Sequence, residues 1–270
     1  MSQIRRTAAD EKFLVVRSSV TNPSAGAVID EHEHGWHQLI YVSAGVITVW
    51  TEAGNWVAPP SWGVWAPAGV RHGIRFAGRS AFRTLYFRPE HWASLPGVCS
   101  AVTVSPLLRE LILRTAGQGM LDGRSAVDMA IATLMLDEFR QSDAPPFDLP
   151  QPRTAITRRA ASLFFGAGVS ATTDSVARQL GIGTRTLERQ FVADTGITIG
   201  RWRQQRALLT GVEQLADGTS VKAAASHAGY ASASAFVAAF RGLFGTTPAR
   251  YFDTASASET AARRRTMLNR

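Results

Sequence analysis

Two copies of one pattern in the last hundred residues narrow the folds open to this chain. The first runs from Ala177-Arg-Gln-Leu-Gly181 to Leu187 and Phe191, the second from Ala225-Ser-His-Ala-Gly229 to Phe236 and Phe240. In each, a small residue lets two helices cross closely and a glycine four positions later takes the turn. Two large apolar residues at i and i+4 then seat a second helix. This is the pattern of a helix-turn-helix, and its second helix keeps one face free because the apolar pair turns inward.

Charge is distributed to match. The chain of 270 residues carries a net +8, with 13 basic against 14 acidic residues in 1–150, 12 against 6 in 151–253, and 4 against 1 in 254–270. Basic residues concentrated with the repeated pattern suit a polyanion, since phosphate contacts by Lys and Arg release counterions and supply most non-specific affinity. The rest of the composition, 45% hydrophobic and 19% charged, is that of a globular protein long enough for two cores. No apolar run approaches the ~18 residues that span a bilayer, and Met1–Asp10 has basic residues without the apolar stretch of a secretory signal. A cytoplasmic location with no membrane partner is expected. The single cysteine, Cys99, forms no internal disulfide and reads as a small core filler rather than a redox sensor.

Periodicity divides the chain. From Phe13 to Phe87, short β-branched and aromatic runs such as Gln38–Val42, Gly45–Trp50 and Phe82–Phe87 are broken by turns, which predicts a β-barrel or sandwich. Leu107, Leu108, Leu111 and Ile112, then Val127, Ile131, Leu134 and Met135, recur at helical spacing and predict two helices, over 105–116 and 125–141. Four prolines between Ser142 and Pro152 mark a linker. The expected organisation is therefore α+β in two domains: a β-barrel over 1–104, a helical segment over 105–141, a linker over 142–153, an all-α double helix-turn-helix over 154–253, and a disordered tail over 254–270.

Within the helical domain, Thr173 or Asp174 is the expected N-cap of the first helix of the repeat, and Thr184 that of the second. With Leu187 and Phe191 inward, Thr184, Arg185, Thr186 and Arg189 face out, where arginine can hold guanine O6 and N7 with two hydrogen bonds. A long helix over 198–216, with Trp202, Leu209, Val212 and Leu215 at helical spacing, braces the copies. The stretch from Gly229 through Phe236, Phe240, Gly245 and Pro248 to Tyr251 resembles the carboxy-terminal signature of AraC/XylS-type transcription regulators. The resemblance covers about 153–252 and implies a seven-helix unit reading two adjacent grooves of double-stranded DNA. It places Arg185 and Arg189 of the first copy, and Ser232, Ser234 and Ala238 of the second, toward the groove. Ala233, Ala235, Ala238 and Ala239 offer no hydrogen bonds to bases, so the second copy is expected to contribute phosphate contacts through Ser232, Ser234 and Arg241.

The amino-terminal half carries a second constellation. Gly26, His32, His34, Gln38 and Gly45 fall at the spacing of the first cupin motif, with glutamine where glutamate is usual, and Pro67-Ala-Gly-Val-Arg-His72 is similar to the core of the second. Ser61 and Phe76 depart from that second motif. His32, His34, Gln38 and His72 are thus a candidate divalent-metal set, and the same four with Trp65 are candidates to line a pocket for a small-molecule effector. His37 lies off the pattern. Trp36, Trp50, Trp56, Trp62 and Trp65 crowd this region, mostly as core. The whole resembles a ligand-responsive regulator, not an enzyme, and the resemblance implies a cupin-like effector-sensing barrel over 1–104 and a dimerisation segment over 105–141, in a homodimer that acts as activator or repressor on a transport or catabolic gene. No resident cofactor is required. The rival reading is a metal-dependent cupin enzyme or metal sensor fused to a DNA-binding head.

Overall fold

The computed structural model describes residues 11–52, 54–91, 95–141, 149–166 and 171–252. By its internal contacts the chain forms two compact units, one built chiefly from residues up to 146 and the other from 147–252. Most of the expected linker and all of the expected tail lie outside the described residues.

The first unit is a sheet covered by helices. Its strands are β1 (Leu14–Thr21), β2 (Val28–His32), β3 (His37–Thr51), β4 (Gly54–Ala58), β5 (Trp62–Ala66), β6 (His72–Phe87), β7 (Ser100–Thr103) and β8 (Met120–Asp122). They pair in the order β7-β5-β3-β6-β1-β8, with β2 on β6 and β4 on β3. The two longest strands run antiparallel from His37 opposite Phe87 to Thr51 opposite His72. Each changes neighbour along its length. β6 takes β2 at its start and β1 at its end, and β3 takes β5 over Gln38–Tyr41. Two ladders thus share one long hairpin, which turns its corner at register shifts on either side of Ala44. Gly45 at that corner has φ +85°, and a Cβ there would lie 2.8 Å from Ser80 Cα, so only glycine fits. The end strands β7 and β8 do not pair with each other among the described residues; the sheet bends around a core without closing by hydrogen bonds.

Alternation along β3 assigns the two faces of the sheet. Leu39 and Tyr41 join Trp65, Leu85 and Phe87 in a core that also takes Leu108, Ile112, Ile131 and Met135. The last four come from helices α1 (Pro106–Gln118) and α2 (Ala126–Gln141), so much of the leucine periodicity of this segment is sheet packing. Ser105 caps α1, its hydroxyl accepting the Leu108 N–H at 3.0 Å, with Pro106 in the first turn. Cys99 is half-buried, and burial pushes its thiol up to about 11, so the reactive thiolate is scarce.

The second unit contains a short strand β9 (Leu149–Pro150) and helices α3 (Ala155–Gly166), α4 (Thr173–Gln179), α5 (Thr184–Thr195), α6 (Ile199–Ala216), α7 (Val221–His227) and α8 (Ala233–Phe244), with a helical turn over 248–252. In both repeats the glycine is left-handed, Gly181 at φ +69° and Gly229 at φ +79°. The inward pairs Leu187/Phe191 and Phe236/Phe240 are fully buried. Helix α6 supplies the common wall. Trp202 meets Phe191 edge-on at 5.5 Å, while Gly211 lies directly under Phe236, where a Cβ would come within 2.3 Å of the ring. No helix among the described residues is long and apolar enough to cross a membrane.

Candidate functional site

The second helix of each repeat presents a free face, and the two faces differ in chemistry. On α5, Arg185 and Arg189 stand one turn apart and exposed, opposite the buried Leu187 and Phe191, with Thr186 partly covered beside them. Thr184 is not the cap. Gly183 takes that position without a side-chain hydrogen bond, and the Thr184 hydroxyl donates instead to Asp174 Oδ1 on α4 at 2.6 Å. Its one proton is thereby committed to a contact between helices rather than to DNA. The cap of α4 likewise moves one residue from expectation, to Thr172, whose hydroxyl accepts the Ser175 N–H. On α8, Ser232 is the N-cap, its Oγ accepting the Ala235 N–H at 3.2 Å. Ser234, Ala238 and Arg241 follow on the exposed side. Small side chains there leave Arg241 as the one long polar group among these.

The histidines converge on the sheet face turned away from α1 and α2. His32 ends β2 and registers opposite His72 at the start of β6; His34 follows in the loop before β3. The ring centroids lie 4.6 Å apart for His32 and His72, 5.2 Å for His34 and His72, and 5.8 Å for His32 and His34. Each Nδ1 faces a backbone carbonyl: His32 on Asp30 at 2.9 Å, His34 on Trp36 at 2.7 Å, His72 on Val70 at 2.8 Å. A carbonyl only accepts, so each Nδ1 carries a proton, and Nε2 is the ring atom left to accept or to bind a cation. His72, fully buried, is held neutral, because burial drives its pKa down to about 4.

Gln38 completes the cluster. Its amide nitrogen donates to Thr84 Oγ1 at 2.8 Å, and the Thr84 hydroxyl donates to the Leu39 carbonyl at 2.9 Å. That relay fixes the amide, so Oε1 is the atom facing His34 Nε2 at 2.8 Å and His72 Nε2 at 2.9 Å. A proton on His34 would satisfy one of these contacts; the neutral His72 has none to give. Ligand nitrogens of the three rings lie within 4.8 Å of one another. Converging lone pairs, each imidazole oriented from behind by a carbonyl, fit a divalent cation, and the missing carboxylate makes the donor set neutral.

Trp65 does not belong to this cluster. It pairs with Leu39, one residue out of phase with Gln38, and so points to the opposite face. There it packs on Phe87 and Phe139 and donates Nε1–H to the Pro96 carbonyl at 2.8 Å. His37, also off the cluster, accepts the Ala68 N–H at Nδ1. The aromatic ring that does stand by the histidines is Tyr86, edge-on to His34 at 5.3 Å, while Trp36 meets His34 through its backbone carbonyl. Phe82–Phe87 is legible as a strand, but which strand lies beside it depends on long-range register that local alternation does not carry.

Comparison with known proteins follows both halves of this geometry. Residues 20–149 match the AraC-like ligand binding domain and residues 176–254 the helix-turn-helix domain. The chain belongs to the AraC-type transcription regulators. It is a DNA-binding regulator that joins a ligand-binding domain to a double helix-turn-helix. Among curated proteins it is 29% identical over 221 residues to the HTH-type transcriptional regulator NimR of Escherichia coli, covering 82% of this chain and 81% of that one. It is also 31% identical over 132 residues to the regulator RipA of Corynebacterium glutamicum, covering 48% and 38%. Among solved structures, ToxT from Vibrio cholerae with bound unsaturated fatty acid is similar at a TM-score of 0.38 and 10% identity, over 88% of this chain and 95% of that chain.

Proposed function

We propose that this regulator reads a promoter mainly through α5, while the histidine face of the sheet receives the effector that controls it. The observation that carries the DNA reading is the Arg185–Arg189 pair: two guanidinium groups one turn apart, uncommitted among the described residues, on the outward face of a helix whose inward face is fixed by Leu187 and Phe191. Such a pair fits guanine edges in a major groove, with Thr186 beside it. Helix α8 is the positioning element, with Ser232, Ser234 and Arg241 on phosphates; Ser232 has already used an acceptor site as a cap but keeps its hydroxyl hydrogen. The protein acts in the cytoplasm, as a homodimer, and is a regulator rather than an enzyme. A transport or catabolic gene is its expected target.

Lone-pair convergence on Gln38 favours a metal-bearing sensor over a dry histidine scaffold. His32, His34, His72 and Gln38 would hold the ion, which would supply a Lewis-acid anchor for an effector oxygen. The DNA reading is tested by selecting bound genomic fragments with the full chain, then measuring affinity for the selected site and a scrambled duplex. Arg185→Ala is expected to lose about 1–3 kcal/mol on the selected site and far less on the scramble, whereas Ala238→Ser changes both little. Equal losses on both duplexes would reduce Arg185 to a phosphate contact.

A further inference from the structure

We infer that Arg17 and Arg88 form the anion-holding end of the effector site, and that the effector is a small organic carboxylate or related oxyanion with a flat or apolar body. The inference rests on reading the histidine face as the effector site and adds the ligand's chemistry. Arg17 of β1 registers opposite Tyr86 of β6, which registers opposite Gln38 of β3. Residues paired in this way across adjacent strands project to the same face, so the three form one row from the cation to the amide that meets the histidines. The Arg17 guanidinium lies 4.6 Å from the Trp36 ring centre and 5.0 Å from that of Tyr86. Arg88 stands 5.0 Å from the same indole.

Two like charges share one ring, held to it by cation–π attraction alone, with no anion between them among the described residues. Among the described residues neither guanidinium is paired with a carboxylate. Arg17 makes no side-chain hydrogen bond there, while Arg88 donates to the Glu11 backbone carbonyl and keeps a buried Nε with no acceptor. An oxyanion supplies what is missing, because the guanidinium fork matches a carboxylate in shape and charge. Trp36 and Tyr86 offer apolar surface beside it, and His34 lies edge-on to Tyr86 at 5.3 Å, within reach of a second donor on the same small molecule.

The test uses the full chain with benzoate and hexanoate as probes against benzamide and hexanamide, followed by calorimetry and tryptophan fluorescence. Both carboxylates are expected to bind with Kd on the order of 1 mM or tighter, and the amides at least about tenfold more weakly. Arg17→Gln, a change at an exposed side chain, should remove that preference, and Arg17→Lys should restore part of it. Equal binding of acid and amide, no binding of either acid, or a preference that survives in Arg17→Gln would overturn the inference. Co(II) titration of the same protein reports the histidine end separately. Carboxylate binding without Co(II) uptake would defeat the metal reading and still support the anion end, whereas Co(II) uptake without carboxylate binding would overturn the anion end alone.

Discussion

Thr84 controls the histidine cluster without touching a histidine. Its hydroxyl is the only described group that distinguishes the two ends of the Gln38 amide, accepting from Nε2 while donating to the Leu39 carbonyl. Thr84→Val keeps the shape and removes both hydrogen bonds. A buried amide left without a partner costs about 1–3 kcal/mol, and free rotation would let its NH2 face the imidazoles as a donor. The amide would then satisfy the lone pairs that a cation needs. We predict that Thr84→Val melts at a lower temperature and takes up Co(II) about 10–100-fold more weakly than the unaltered chain, the range seen for outer-shell partners of metal ligands. A titration followed by visible absorption reads the metal and thermal melting reads the fold. Unchanged uptake would mean that the imidazoles alone set the affinity.

At the scale of elements, α6 makes the two repeats dependent on each other through one glycine. Ala in place of Gly favours a helix by about 1 kcal/mol, but the added Cβ at 211 would lie 2.3 Å from Phe236 Cε2 and 2.7 Å from Cζ. Overpacking a filled core costs about 1–3 kcal/mol. Because Phe236 is fully buried and anchors α8, the second effect wins. Gly211→Ala is predicted to lower stability in denaturant by about 1–2 kcal/mol and to weaken DNA binding by displacing α8, while leaving effector-site ligands unaffected. A gain in stability would show that the ring yields freely. The sequence pattern already marked the elements meeting here, because Ala225, Gly229, Phe236 and Phe240 carry a local signature of helix, turn and helix. It passed over Gly211, whose reason lies on a partner helix 25 positions away. The same division holds in the sheet. The histidine spacing was readable, but the assignment of Trp65 failed because register to β3 decides its face, and the row Arg17–Tyr86–Gln38 joins three strands distant in sequence.

For the whole molecule, the homodimer proposed above requires a surface on which two chains meet. Leu108, Leu111, Ile112, Ile131 and Met135 are used by the sheet core, yet Val127 and Leu134 on α2 are 60% and 47% exposed and Leu107 on α1 is 48% exposed. Val127, Ala130 and Leu134 follow the 3–4 spacing of a helix–helix seam, a stripe that the sheet leaves uncovered. Burying a Val or Leu side chain completely is worth about 1.5–3 kcal/mol; half of that is already realised in one chain, so a two-fold contact adds only several kcal/mol. Association itself costs about 4–15 kcal/mol, so these side chains alone support a weak, reversible dimer that two adjacent half-sites on DNA would reinforce through effective concentration. Sedimentation of the unaltered chain should therefore show concentration-dependent dimerisation only toward the range of about 0.1–1 mM. Leu134→Glu sets two carboxylates against each other across the axis and should give a monomer at every concentration. Its affinity for one half-site should be unchanged, and its affinity for two adjacent half-sites should fall at least about tenfold. Loss on both kinds of site would point to damage in the fold, and an unaltered dimer would place the interface elsewhere.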